Sequence, residues 1–121
     1  MQANLFLTKG PSSVIEKIQL PPSNNKHDYL SLSPYYWPDP TRSNGSPYIV
    51  HDGIINPQTY SIPDKRNLDD MIHRVKILSL AYYFTDNPKY ASKAVQLLQF
   101  WFINNSYKMN RSLQYAEMML S

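Results

Sequence analysis

Two regimes of hydrophobic patterning divide this chain. In the second half, Leu68, Met71, Ile72, Val75, Leu78 and Tyr82 recur at spacings of three and four, and Leu80 and Ala81 thicken the stripe. The spacing predicts a helix from about Asn67 to Thr85, with Asp69 and Asp70 placed in its first turn to meet the positive end of the helix dipole. Thr85-Asp86-Asn87-Pro88 reads as a stop and restart, since Asn87 suits an N-cap and Pro88 suits the first helical position. A second helix is then expected from Pro88 to about Ile103, with Tyr90, Ala91, Ala94, Leu97, Leu98, Trp101 and Phe102 on its apolar face. So short a connection implies an antiparallel helical hairpin with Leu78, Leu97 and Trp101 in its seam. Asn104-Asn105 suits a left-handed cap. From Ser112, an apolar run ending in Met118, Met119 and Leu120 predicts the start of a third helix.

The first half has no such period. Nine of the ten prolines and all three glycines fall between Gly10 and Pro63, which forbids a regular helix there and predicts an extended, turn-rich segment. Tyr29, Tyr35, Tyr36, Trp37, Tyr48 and Tyr60 give this segment an aromatic density that argues against disorder. Long loops of this kind in a compact protein are commonly binding segments.

Composition narrows the classes. At 121 residues one small domain is expected at most, and the net charge of +3 is spread from Lys9 to Arg111 without a basic run, so no nucleic-acid partner is expected. An acidic sugar polymer suits that charge. With no cysteine there is neither a disulfide nor a thiolate metal site. His27, His51 and His73 lack metal-ligand spacing, and no cofactor or metal is expected. His73 reads as a helix-surface residue. No run is long enough to cross a membrane, and residues 1–10 lack the basic and apolar regions of a signal peptide. Asn44, Asn104 and Asn110 begin glycosylation sequons, the first weakened by Pro47.

The stretch richest in chemistry runs from Asn25 to Pro40. Aromatic faces stack on the C–H faces of sugars while imidazole and hydroxyl edges supply hydrogen bonds, so Tyr35-Tyr36-Trp37 beside Lys26, His27 and Asp28 suits a saccharide cleft. Flanking prolines would hold the rings in place. The plainer reading is that these rings plug the loop onto the hairpin, and that His27 is satisfied by a backbone carbonyl or by Asp28.

Lys26-His27-Asp28-Tyr29 through Ser33-Pro34-Tyr35-Tyr36-Trp37-Pro38-Asp39-Pro40, followed by Ser46-Pro47-Tyr48-Ile49, Asp52-Gly53 and Asn56-Pro57, resembles the front of the alginate-lyase-type domain of polysaccharide lyases. The likeness continues through Leu80-Ala81-Tyr82-Tyr83-Phe84-Thr85, Tyr90-Ala91, Lys93-Ala94, Leu97-Leu98, Trp101-Phe102, Met109-Asn110, Leu113 and Tyr115-Ala116.

This resemblance implies an all-α fold, part of an (α/α) toroid, whose activity is cleavage of uronic-acid polysaccharides by β-elimination. It implies that residues 1–121 are an incomplete N-terminal portion of that domain, with an aromatic, Pro-rich lid loop at 11–63 and a helical part at 64–121. It implies an extracellular or periplasmic setting, an acidic polysaccharide as substrate, and the remainder of the toroid as the structural partner. Lys26, His27, Tyr35, Tyr36 and Trp37 become the candidate substrate contacts, with Arg42 and His51 behind them. The family associates its acid–base chemistry with a downstream Asn-His motif and a later Arg and Tyr, so the chain is expected to be inactive alone. Its helix begun at Ser112 would leave Tyr115, Met118, Met119 and Leu120 without neighbours and prone to association.

Three further readings stand beside this one. The chain could be a non-catalytic carbohydrate-binding remnant. It could be a helical scaffold for protein interaction, although only one hairpin is visible where repeat arrays need several. A glycosidase would need two carboxylates across a sugar, with Asp28 and Asp39 as the nearest pair.

Overall fold

The structure, a computed structural model, describes residues 2–32, 36–37, 49–50, 57 and 61–118, with backbone alone at 36–37 and 49–50. Tyr35, Asp39, Arg42, Asn44, His51, Met119 and Leu120 lie outside the described residues. The fold is all-α in its core, consistent with part of an (α/α) toroid. Helices α1 (Gln2–Thr8), α2 (Asp64–Thr85) and α3 (Pro88–Phe102) pack together, and two short antiparallel strands, β1 (Tyr36–Trp37) and β2 (Ile49–Val50), pair Tyr36 with Val50 and Trp37 with Ile49.

The hairpin of α2 and α3 forms as the periodicity predicts, but Leu98 and Phe102, expected on the apolar face of α3, are exposed. Asn87 caps α3 by accepting from the Lys89 N–H at 3.1 Å, and Pro88 takes the first helical position. Asp86 ends α2 in the left-handed region (φ 57°), donating its N–H to Tyr82 O at 2.7 Å. Leu78, Leu97 and Trp101 are all buried in the seam, joined by Met71, Ala81, Tyr90 and Ala94. The small Ala81 and Ala94 leave room for the larger rings.

Four further expectations need correction. Helix α2 starts at Asp64, so its first-turn acid is Asp64, while Asp69 pairs with Lys65 and Asp70 lies beside Arg74 one turn on. The buried stripe of α2 is also rotated: Ile72, Leu80 and Tyr82 are exposed, and Arg74 occupies a core position. Its Nη1 donates to Gly10 O at 3.0 Å, and its Nε lies 3.1 Å from Asp70 Oδ2 in an ionic contact without hydrogen-bond alignment. A long aliphatic stem makes such a substitution tolerable on an apolar stripe. Asn104 and Asn105 are not left-handed. Instead the Ile103 and Asn104 N–H groups both donate to Gln99 O, and the Asn104 side chain accepts from the Ser106 N–H.

The fourth correction concerns residues 112–118, which form turns rather than the opening of a helix. Ser31 draws them off: its N–H donates to Tyr115 O, its carbonyl accepts from the Met118 N–H at 2.7 Å, and its hydroxyl accepts from the Glu117 N–H at 2.9 Å. Leu32 and Met118 form an isolated parallel bridge. Tyr115 and Met118 therefore have neighbours, packing on a second small core of Leu30, Leu32 and Ile62.

Helix α1, with no counterpart in the sequence reading, buries Ala3 and Phe6 against the hairpin. His73 is a surface residue, as expected, and meets Phe6 edge-on at 5.9 Å. Past α1 the chain runs across the hairpin, held where Ser13 Oγ donates to Tyr107 O at 2.7 Å. That crossing delivers the polar run from Ser23 to Tyr29 to the segment following α3.

Candidate functional site

Lys26 and His27 sit in a run fastened from two sides. On one side is the segment after α3. His27 Nδ1 lies 2.7 Å from Lys108 O; since a carbonyl only accepts, Nδ1 carries the proton and Nε2 is left as the ring's second edge. The Asn110 N–H donates to His27 O at 2.9 Å, and Asn110 Nδ2 donates to Asp28 Oδ1 at 2.8 Å. The plainer reading of His27 is thus met by a backbone carbonyl and not by Asp28. Lys26 is exposed.

Asp28 is committed elsewhere. The hydrogen bond from Ser23 Oγ (2.6 Å), and then that from Asn110, hold its carboxyl below the usual aspartate range, favouring the ionised acceptor. A glycosidase acid needs its pKa raised, so Asp28 does not fit that role. The depressed value has a definite linkage sign. Ionised Asp28 contributes stability fully present above the unfolded pKa of about 3.9 and lost as pH falls through the lower folded value. Asp28→Asn should therefore destabilise the protein at neutral pH by an amount that shrinks on acidification, read from urea midpoints on either side of that range. An unchanging gap would show that the Asp28 contacts are not formed.

On the other side, the run is held by a buried ion pair. Lys17 Nζ donates to Asp64 Oδ2 at 2.8 Å, to Val14 O at 2.6 Å and to Lys26 O at 2.6 Å, and both charged side chains are 0% exposed. Asp64 Oδ2 also accepts from the Leu30 N–H at 2.9 Å, while its Oδ1 has no hydrogen-bond partner. Burial pushes the Asp64 carboxyl up from its ordinary value, against the pull of Lys17 and the Leu30 amide.

Among the candidate contacts, Lys26 and His27 lie on the fastened run, the Tyr36 and Trp37 backbones lie in β1, and Tyr35 lies outside the described residues. The residues that hold this arrangement, Lys17, Asp64, Lys108 and Asn110, escaped sequence reasoning. The one available signal was Asp64 itself, an acid just after Pro63 and at the start of α2, where it meets the positive end of the helix dipole. An apolar groove of about 310 Å³ lies between α1 and α2, lined by Gln2, Ala3, Ile77, Leu80, Ala81, Phe84 and Thr85. It has no titratable group and cannot perform acid–base work. Among the described residues no group of His, Asp or Glu could hold a metal ion.

No curated protein matches this chain. Among solved structures, an alginate lyase from Bacteroides ovatus is similar, with a TM-score of 0.87 and 43% identity. The match covers 97% of this chain and 30% of that one. The sequence profile of the alginate lyase family matches residues 13–121. That match over most of the length shows that the chain belongs to the alginate lyase family.

Proposed function

We propose that this chain is the front portion of a polysaccharide lyase that cleaves alginate-like uronic-acid polymers by β-elimination, and that Lys26, His27, Tyr35, Tyr36 and Trp37 face the sugar. The observation that carries this reading is the 43% identity to the Bacteroides ovatus enzyme across 97% of the chain. β-Elimination requires neutralisation of the uronate carboxylate, a base for the C5 proton and an acid for the departing oxygen. The exposed Lys26 ammonium suits the carboxylate. His27, with Nδ1 engaged by Lys108 O, offers Nε2 for a hydrogen bond to a hydroxyl or carboxylate. Stacking by Tyr36 and Trp37 would hold the ring while these polar groups orient it.

In this reading the base and acid come from outside residues 1–121, which correspond to 30% of the neighbour's chain. Residues 11–63 serve as the aromatic lid loop and 64–121 as helical support. The substrate is an acidic polysaccharide, and a polymer met outside the cytoplasm supports an extracellular or periplasmic setting. No described helix is long and apolar enough to cross a membrane. A second reading, a carbohydrate-binding remnant without catalysis, draws support from the same 30% share.

Elimination creates a C4–C5 double bond conjugated to the carboxylate, and its ultraviolet absorbance separates the two readings. Alginate incubated with residues 1–121 should give no such absorbance, and a version extended through the rest of the family domain should give it. An extended version that binds alginate without producing the chromophore leaves the binding remnant as the answer. Absorbance from residues 1–121 alone would overturn the assignment of the acid–base groups to other residues.

A further inference from the structure

We infer that the buried Lys17–Asp64 pair is a positioning device for the sugar-facing run, fixing Lys26 and His27 relative to the helical hairpin; its functional half rests on the lyase reading above. One ion pair holds both ends of residues 26–30. The Lys26 carbonyl accepts from Lys17 Nζ at 2.6 Å, and the Leu30 N–H donates to Asp64 Oδ2 at 2.9 Å. The same two side chains tie this run to the turn at Val14–Glu16, through Val14 O, and to the first residue of α2. Between the two tethered ends, His27 and Asp28 bond across to Lys108 and Asn110. The backbone of the run is thereby fixed on both flanks while the Lys26 side chain stays exposed.

Stability alone does not call for this design. Two charges at 0% exposure lose their hydration, and an apolar pair of similar volume commonly holds a fold together as well or better. Asp64 Oδ1 makes no hydrogen bond, so the pair is not even fully satisfied. What an apolar pair cannot do is bind a carbonyl at position 26 and an amide at position 30 at fixed distances. A preorganised run loses less freedom when sugar binds, which raises affinity without any new contact.

The test is the double variant Lys17→Met/Asp64→Asn in the whole chain, which removes both charges, nearly keeps volume and leaves an amide oxygen for the Leu30 N–H. Three quantities are compared with the parent: the urea midpoint, amide hydrogen exchange at Asn110 and Ile103, and affinity for short mannuronate oligosaccharides. A positioning role predicts a midpoint near that of the parent, exchange about tenfold faster at the Asn110 N–H that donates to His27 O, unchanged exchange at Ile103 in the α3 cap, and affinity lower by about tenfold. Should the double variant fail to fold, Lys17→Met alone, which removes the donor to Lys26 O, is read at about pH 5 by exchange and affinity and not by midpoint, because stranding Asp64 lowers stability on its own account. Unaltered exchange at Asn110 together with unaltered affinity overturns the proposal. A parent that binds no oligosaccharide, with exchange at Asn110 still accelerated in the variant, overturns the lyase reading and leaves the positioning of the run standing.

Discussion

Trp101→Ala is expected to destabilise the protein by about 3–5 kcal/mol. Trp101 is 0% exposed in the seam of the hairpin, in one core with Leu78, Leu97, Met71 and Val14. Its removal leaves a cavity bordered by α2, α3 and the front crossing, none of which can collapse without displacing the others. Total stabilities of small domains are about 5–15 kcal/mol, so the loss is a large share of what holds this one together. The indole N–H contributes little, because its partner Ser12 Oγ is 3.4 Å away. Trp101→Phe should accordingly retain most of the stability that Trp101→Ala loses. Urea denaturation of both variants checks this, and equal losses would mean that the hydrogen bond, not ring volume, carries the effect.

The parts of the fold legible in the sequence are those governed by local rules. Asn87-Pro88 specifies a helix start through capping chemistry acting within three residues, and the spacing of Leu97 and Trp101 specifies one face of α3. The rotation of α2 was not legible, because Ile72, Leu80 and Tyr82 are as apolar as the residues that are buried. Which stripe faces inward is settled by packing against α1, α3 and the front segment, whose Gly10 O accepts from Arg74. Residues 112–118 mislead for a related reason. Their helical pattern is genuine, but Ser31 offers three polar groups to their backbone, from 84 or more positions away in sequence.

The candidate site divides along the same line. Its proposed chemistry rests on residue types, since lysine, histidine and aromatic rings are what sugar recognition uses. Its support could not be read from them. Lys17 reads as one more surface cation, and nothing local reveals that its ammonium meets Asp64 with both side chains fully buried. The tautomer of His27 likewise follows from Lys108 O, 81 positions along the chain. Long-range hydrogen bonds of this kind leave no periodic trace.

Breaking the buried pair from either side should be costly, and only one of the two deficits should be relieved by acid. Removing one partner of such a pair typically costs about 3–5 kcal/mol, because the other charge is left buried and unpaired. In Lys17→Met, the stranded carboxylate keeps the Leu30 N–H and the positive end of α2, and it can also escape by taking a proton. Neutralising a carboxyl of ordinary pKa costs about 4 kcal/mol at pH 7 but only about 1.5 kcal/mol at pH 5, which caps the penalty at each pH. The sign is that of a carboxyl whose folded pKa is raised: the folded state binds the extra proton, so stability falls as pH rises from the unfolded value through the folded one. Lys17→Met should thus lose much of its deficit on acidification. In Asp64→Ala the stranded group is an ammonium, held by Val14 O and Lys26 O, which escapes only by giving up a proton. Its penalty should persist at pH 5, because acidification offers an ammonium no neutral form. Urea midpoints of the two single variants across this range measure the contrast. Deficits that move in parallel with pH would show that Lys17 and Asp64 are not the buried, charged pair that the distances describe.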